Sequence, residues 1–338
     1  MRSEWHLAAR EPPAPVFDEF ELIRRYFTRP ARRAVVGVGD DCALIAPAAG
    51  QQLAVSTDML VAGRHFLHDT DPEGLGHKTL AVNLSDCAAA GAQPRYALLA
   101  GALPAADPAW LEPFSRGLFA LAERFDVELI GGDTTRGPLT LCVTIIGEVP
   151  AGQALLRSGA QPGDTIWVSG ELGTAAAGLA QLQGRCMSPG AAARAAVAAQ
   201  QRPEPRVALG IALRGIATSA IDVSDGLLGD IGHLLQRSGV GATIDAARVP
   251  CAGWLRTLLA QPDNHAVALG WLLAGGDDYE LCFTAPPAAD VNVRAAGAGV
   301  GVAVTAIGRI SPGAQLQILD AEGRAMDPAA LRSFDHFG

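Results

Sequence analysis

The sequence predicts an α/β (α+β) protein with two domains. Its 338 residues, of which 49% are hydrophobic, are enough to form two hydrophobic cores. Several short apolar runs lead directly into bends that carry aspartate, and α/β proteins place their chemistry at such strand ends. A stretch dense in proline and glycine, 148–164, separates a β-rich first half from a helix-rich second half.

This composition change divides the chain into three segments. Residues 1–16, with prolines at 12, 13 and 15, are expected to form a flexible N-terminal extension. Residues 17–150 are expected to form the N-terminal domain, and residues 151–338 the C-terminal domain.

The first half is predicted to open with a short helix, because Phe20, Ile23 and Phe27 fall on one side of a helix over 17–27. An apolar helix follows over 72–90, and a second helix over 108–125 begins with a proline that suits the first turn. The expected strands of this half are 34–38, 52–56, 96–102, 127–131 and 139–147.

The second half is predicted to begin with a strand at 165–169. Helices are expected at 170–182, 190–200 and 205–214. Apolar residues then hold helical spacing from Leu227 to Leu235, and Gly239 can end that helix.

Aspartates in or beside the apolar runs are the main functional signal. Asp41 follows a Gly-x-Gly bend, Asp58 follows Ser56 and Thr57, and Asp133 follows Gly131-Gly132; Asp222 comes just before Ser224-Asp225. Two carboxylates about 5 Å apart repel by roughly 3 kcal/mol at an effective dielectric constant near 20. If the strand ends converge, only bound cations, or carboxyl groups that stay protonated, could hold the cluster together. Hard oxygen ligands of this kind suit Mg²⁺.

Two further features bear on such a site. Asp86 lies in a strongly apolar helix, one turn after Asn83, and a second Gly-Gly bend carries Asp277. Ordinary structural roles remain open: Asp86 as a solvated helix end, and Asp225 as an N-cap.

The composition excludes several other functions. A net charge of −9 and a pI near 5.2 argue against nucleic-acid binding and anionic membranes. Lys78 is the only lysine, so a P-loop is excluded. The six cysteines are scattered, which favours a reduced cytoplasmic protein. No apolar run approaches the ~18 residues of a membrane span.

Taken together, seven ordered blocks resemble the thiamine-monophosphate kinase family, in the superfamily of aminoimidazole ribonucleotide synthetase and selenophosphate synthetase. The resemblance extends over nearly the whole chain, from Phe20 to Phe337. The blocks are GVGDDCAL, STDMLVAGRHF, KTLAVNLSDCAAAGA, LIGGDTTRGP, LLRSGAQPGD, AIDVSDGL and GGDDYELCF.

The resemblance implies a fold and a reaction. The first domain would bind ATP and metal, and its sheet would form a barrel-like interface in a homodimer. The enzyme would transfer the γ-phosphoryl group of ATP to thiamine monophosphate, giving thiamine diphosphate, with several Mg²⁺ ions bound.

The resemblance also implies roles for individual residues. Metal ligands would be Asp41, Ser56, Thr57, Asp58, Asp86, Asp133, Asp222 and Asp225. The acids expected to be catalytic are Asp41, Asp86, Asp133 and Asp222. Gly132, Asp133, Arg157 and Ser224 would contact ATP. His65, Asp277 and Phe334 would contact the substrate, although the family often has glutamate at the position of Asp277 and can have tyrosine or tryptophan at that of Phe334.

The hypothesis for the chemistry is direct in-line transfer by positioning and metal electrostatics, without a phospho-enzyme. Three alternatives remain: another ATP-dependent synthetase of the superfamily, a metal-dependent phosphatase, and a non-catalytic metal-binding or scaffold protein.

Overall fold

The computed structural model describes residues 19–185 and 190–327. The N-terminal extension expected at 1–16 and the substrate contact expected at Phe334 lie outside these residues. Within the described part, no helix is long and apolar enough to cross a bilayer.

The described residues form ten α-helices and eleven strands. The helices are α1 (Glu19–Leu22), α2 (Pro72–Ala89), α3 (Pro108–Arg124), α4 (Thr174–Leu182), α5 (Ala191–Gln201), α6 (Val207–Ala212), α7 (Leu227–Ser238), α8 (Gly253–Leu259), α9 (Pro262–Ala274) and α10 (Asp290–Gly299). The strands are β1 (Gln51–Val61), β2 (Gln93–Leu103), β3 (Glu128–Arg136), β4 (Thr140–Pro150), β5 (Thr165–Ser169), β6 (Ser219–Val223), β7 (Gly241–Asp245), β8 (Glu280–Ala285), β9 (Val304–Ser311), β10 (Leu316–Leu319) and β11 (Ala325–Met326).

The first sheet has four strands in the order β1-β4-β2-β3. Helices α2 and α3 pack on one of its faces, which buries Leu141, Val143 and Ile145 of β4. The other face, here called the outer face, leaves Val55 and Met59 of β1 exposed at 62% and 55%. Successive side chains of a strand point to opposite faces, so β1 contributes to both.

The second sheet has seven strands in the order β11-β10-β7-β9-β5-β8-β6. Its strands are buried on both faces: Ile166 and Val168 of β5 belong to one core cluster. Trp167 and Phe283 belong to another, which also contains the apolar residues of α2 and α3. The end strand β6 packs against α2, so the two sheets meet along this helix.

Several predicted elements differ from the structure. Residues 34–38 form no regular strand; the segment has only isolated bridges, such as Val36 to Leu44. The strands predicted at 52–56 and 127–131 are longer, because β1 pairs with β4 over its full length and β3 pairs with β2 through Arg136. The first helix continues as a π-helix, Ile23–Phe27, in which Tyr26 is buried, whereas Phe20 of α1 is exposed. Strands β7 to β11 and helices α8, α9 and α10 were not predicted.

Candidate active site

A cavity of about 1060 Å³ lies between the two sheets. The end of β1 and the loop after it form one side, and helices α4 and α9 form the other. One part of the wall is polar and acidic, and the rest is mostly apolar.

The acidic part of the wall combines four aspartates from separate elements. Asp58 comes from β1, Asp86 from α2, Asp222 from β6, and Asp225 from the turn before α7. The convergence predicted for the aspartates therefore holds for these four residues.

Hydrogen bonds from neighbouring residues fix three of these aspartates. Ser56 Oγ donates to Asp86 Oδ2 at 2.5 Å, and Ser85 Oγ donates to Asp222 Oδ2 at 2.7 Å. The Asp58 backbone N–H donates to the Asn83 side-chain oxygen at 3.2 Å. Asn83 thus supports the strand that carries Asp58, while Asp86, one turn later, faces the cavity.

Burial raises the pKa values of three of these acids, Asp58, Asp86 and Asp222, and the charges of neighbouring acids add to the effect at Asp58 and Asp222. Desolvation, together with the charges of Asp86 and Asp225, raises the pKa of Asp58 to about 7. Desolvation and the charge of Asp86 raise the pKa of Asp222 to about 8, against the lowering effect of the Ser85 hydroxyl. Burial also raises the pKa of Asp86, opposed by Ser56 and by the positive charge of Arg157.

The turn that carries Ser224 and Asp225 is held by an acid of the following helix. Asp230 Oδ2 accepts hydrogen bonds from the backbone N–H groups of Ser224 and Asp225, both at 3.0 Å. Because these bonds engage the backbone, the two side chains stay on the cavity wall. Burial, followed by the charge of Asp225, raises the pKa of Asp230 to about 7.

The second Gly-Gly bend places Asp277 on the same wall. Asp277 and Tyr279 adopt positive φ angles of 69° and 50°, a region that costs non-glycine residues free energy. The backbone N–H of Asp277 donates to the Ser224 carbonyl at 2.8 Å, and that of Tyr279 to the Val223 carbonyl at 2.8 Å. A Cβ on Gly276 would lie 2.4 Å from the Ser224 oxygen, so only glycine permits this approach.

The mostly apolar part of the wall surrounds His65 and Trp271. Phe66 and Leu67 contribute from the loop after β1, and Leu179 contributes from α4. The Val61 backbone N–H donates to His65 Nδ1 at 3.0 Å, so the proton of the neutral imidazole resides on Nε2. A ligand with an apolar ring would match the apolar wall, and a cationic group, or an anionic group accompanied by metal cations, would match the acidic wall.

The acidic wall fits magnesium by its ligand type. No three His, Cys, Asp or Glu side chains within 19–185 and 190–327 are arranged so that they could hold one metal ion. Magnesium usually takes one or two protein carboxylates and completes its shell with water and substrate phosphates. Asp58, Asp86, Asp222 and Asp225 line one wall of the cavity, and a divalent cation would offset the repulsion between their charges.

Not every predicted site residue reaches the cavity. The predicted site residues that line the cavity are Asp58, His65, Asp86, Arg157, Asp222, Ser224, Asp225 and Asp277. Ser56 lies behind Asp86, to which it is hydrogen-bonded, and Thr57 points to the outer face, where its hydroxyl lies 2.8 Å from that of Thr144. Asp41 is exposed and does not line the cavity.

Gly132 and Asp133 lie on the far edge of the first sheet. Asp133 is paired with Ala100, Ala100 with Cys142, and Cys142 with Met59, so Asp133 shares the outer face with Met59. It is three strand spacings, of about 4.8 Å each, away from β1. Asp58 and Asp133 are therefore on opposite faces of one sheet within a single chain.

Sequence reasoning assigned no site role to four residues that shape the site: Ser85, Asp230, Trp271 and Tyr279. A signal existed for Asp230, which interrupts the apolar face of α7 at a buried position. No sequence signal marked Ser85 or Tyr279, because their roles depend on partners that are distant in sequence.

Comparison with known proteins gives consistent matches over most of the chain. Residues 39–149 match the model of the AIR synthase related protein, N-terminal domain, and residues 161–320 match that of the C-terminal domain. A thiamine-monophosphate kinase of Salmonella typhimurium is 50% identical over 297 residues, covering 87% of this chain and 90% of the relative.

Solved structures agree with these matches. The thiamine-monophosphate kinase from Stenotrophomonas maltophilia K279a superimposes with a TM-score of 0.79 at 46% identity, covering 87% of this chain and 92% of that chain. AaThiL complexed with AMPPCP and TMP superimposes with a TM-score of 0.75 at 29% identity, covering 86% and 89%. These matches confirm the resemblance inferred from the seven motifs and the predicted two-domain α/β fold.

Proposed function

We propose, because this chain belongs to the AIR synthase related proteins and among them to the thiamine-monophosphate kinases, that its cavity binds ATP and thiamine monophosphate and transfers the γ-phosphoryl group. The enzyme is a kinase whose acceptor is a phosphate group. The relative complexed with AMPPCP and TMP carries this proposal, since its two ligands correspond to the two substrates.

The chemistry requires little of the protein beyond positioning and charge. Donor and acceptor are both anionic phosphates, so they must be held in line while their charges are neutralised. A phosphate monoester has a second pKa of about 6, so the acceptor oxygen is already ionised near neutral pH and needs no strong base. We therefore propose direct transfer, without a phospho-enzyme.

Magnesium would supply the neutralisation. We propose that Asp58, Asp86, Asp222 and Asp225 hold it, because their side chains share one wall and repel one another. When bound, the cations would offset the charge on the transferred group. Without them, these carboxylates would repel the phosphates.

Ligand contacts are proposed from the remaining residues of the wall. Ser224 and Arg157 would face ATP, because both line the cavity. The positive charge of Arg157 lowers the pKa of Asp86, so the guanidinium group is close enough to the acidic wall to meet a phosphate bound there. His65 and Asp277 would face thiamine monophosphate, as we infer also for Phe334.

We propose that the chain acts as a homodimer, formed through the outer face into a barrel-like interface. Exposed Val55 and Met59 on β1 support this, together with exposed Val35 on the segment before it. Asp133 also lies on the outer face. Because Asp41 does not line the cavity and Asp133 lies on the outer face, we propose that a second copy of the chain completes their metal and ATP roles.

We place the reaction in the cytoplasm, in keeping with the free thiols of Cys87 and Cys282. The decisive experiment is incubation of purified protein with Mg²⁺, ATP and thiamine monophosphate, while thiamine diphosphate and ADP are quantified together. Equal amounts of both products are expected. Phosphate release without thiamine diphosphate would indicate a phosphatase, and ADP without thiamine diphosphate a different acceptor.

A further inference from the structure

Lys78 is buried below the cavity, at the junction of the two domains. It is the only lysine in the chain, lies on α2, and its side chain is 2% exposed. Its Nζ is 3.0 Å from Asp277 Oδ2, which belongs to the second domain. Within 19–185 and 190–327, Asp277 is the one acid at ion-pair distance from Lys78.

Both oxygens of Asp277 are engaged from the protein side. Oδ2 faces the Lys78 ammonium, and Oδ1 accepts a hydrogen bond from the Tyr279 hydroxyl at 3.2 Å. Each carboxylate oxygen can accept more than one hydrogen bond. The Asp277 side chain is 25% exposed and lines the cavity, so its remaining acceptor capacity is available to a ligand.

Lys78 itself does not line the cavity, whereas Val82 and Asp86, one and two turns further along α2, do. Its charge therefore acts on a ligand through Asp277.

We propose that Lys78 is a positioning residue for the acceptor substrate: its ammonium group holds the Asp277 carboxylate directed into the cavity, where that carboxylate binds the cationic, amino-bearing ring system of thiamine monophosphate. This rests on the proposed function. The ion pair selects the acceptor, while the magnesium-binding aspartates serve the phosphates. A buried pair costs more when one partner is removed than when both are, so the pair can be tested as a unit.

The test is a cycle of Lys78→Met, Asp277→Asn and the double variant, with KM measured separately for thiamine monophosphate and ATP. Lys78→Met is expected to raise KM for thiamine monophosphate about tenfold, the effect of about 1.4 kcal/mol of lost binding, and to leave KM for ATP nearly unchanged. In the Asp277→Asn background, Lys78→Met should have no further effect on either KM. Thr79→Val, a buried change in the same helix, is the matched control and should leave both KM values unchanged.

A purely structural link between the domains would give a different pattern. Lys78→Met would then raise both KM values in parallel, and the double variant, which contains no unpaired buried charge, would regain both. That result, or an unchanged KM for thiamine monophosphate in Lys78→Met, would overturn the proposal. If wild-type protein forms no thiamine diphosphate at all, the proposed function fails instead.

A measurement on wild-type protein covers the case in which Lys78→Met does not fold. Because the chain has one lysine, uniform ¹⁵N-lysine labelling of a protein without lysine in its tag gives a single side-chain ammonium signal. Thiamine monophosphate should shift this signal, and inorganic phosphate should not. A signal unmoved by thiamine monophosphate, in protein that turns it over, would overturn the proposal.

Discussion

Ser85 Oγ donates a hydrogen bond to Asp222 Oδ2 at 2.7 Å, and this bond joins α2 of the first domain to β6 of the second. Both side chains are buried. The residue after Ser85, Asp86, faces the cavity with Asp222, so one helical turn carries both the link and part of the acidic wall.

Ser85→Ala should therefore lower stability. Loss of a buried hydrogen bond to a carboxyl group is expected to reduce the free energy of unfolding by about 1.5–3 kcal/mol. Urea denaturation would measure it. Ser115→Ala is the matched control, because the Ser115 hydroxyl bonds only a carbonyl of its own helix at 3.1 Å and should cost less. Equal losses in both variants would contradict the importance of the link.

Asp86→Asn should reduce kcat by about a hundredfold or more, since a carboxylate that holds Mg²⁺ near the transferred phosphoryl group is lost. The apparent Mg²⁺ requirement should rise at the same time. Steady-state assays over a Mg²⁺ titration test this, with Glu112→Gln on the exposed side of α3 as the control. Full activity with an unchanged Mg²⁺ dependence in Asp86→Asn would remove this residue from the metal site.

Stability without metal should fall as pH rises. The pKa values of Asp58 and Asp222, about 7 and about 8 in the folded protein, exceed the value of about 4 for an unfolded chain. Between these limits the folded state binds more protons than the unfolded state, so the stability contributed is complete below pH ~4 and is lost towards pH ~8.

Denaturation in EDTA at a series of pH values would test this, with Asp222→Asn expected to flatten the dependence. Mg²⁺ should flatten the wild-type dependence as well, because the cation replaces the proton. A contribution of opposite sign would show that these carboxyl groups are not mutually repelling in the folded protein.

Gly276→Ala should disturb the bend that carries Asp277. The added Cβ would meet the Ser224 carbonyl oxygen at 2.4 Å, and such overpacking costs about 1–3 kcal/mol. KM for thiamine monophosphate should rise as the bend moves. Gly232→Ala in α7 is the control, since its Cβ would meet nothing within 4 Å, and alanine there should preserve or increase the melting temperature.

Val55→Asp should convert a dimer into monomers, because it places a charge on the exposed apolar face of β1. Size-exclusion chromatography with light scattering would report the molar mass. Val291→Asp, at an exposed position on α10, should leave the mass unchanged. A monomeric wild-type protein would contradict the proposed association.

Local signals predicted much of this fold. Pro at a first turn and continuous apolar spacing gave α2 and α3 almost to their observed ends, and a short apolar run gave β5. Strand lengths were underestimated, because pairing with β4 extends β1 beyond Ser56, through Thr57 and Asp58, to Val61. No local pattern reports how long a neighbouring strand will be.

The site was predictable in residue type and less so in arrangement. Four of the aspartates meet, since the apolar elements that carry them are forced to pack together. Asp133 does not join them in one chain, because strand order places it at the opposite edge. The pairing of Lys78 with Asp277 could not be predicted from the sequence either, because it joins residues 199 positions apart across two domains.

The alternation along β1 places the side chains of Asp58 and Met59 on opposite faces of the sheet, with Met59 exposed on the outer face. A deletion of one residue within this strand would exchange the two sets of side chains along the shifted part, sending acids outward and apolar groups inward. Such a deletion would damage substrate binding and surface association in one step. Length changes in this strand would be tolerated only in pairs, so natural variation in β1 should proceed by substitution.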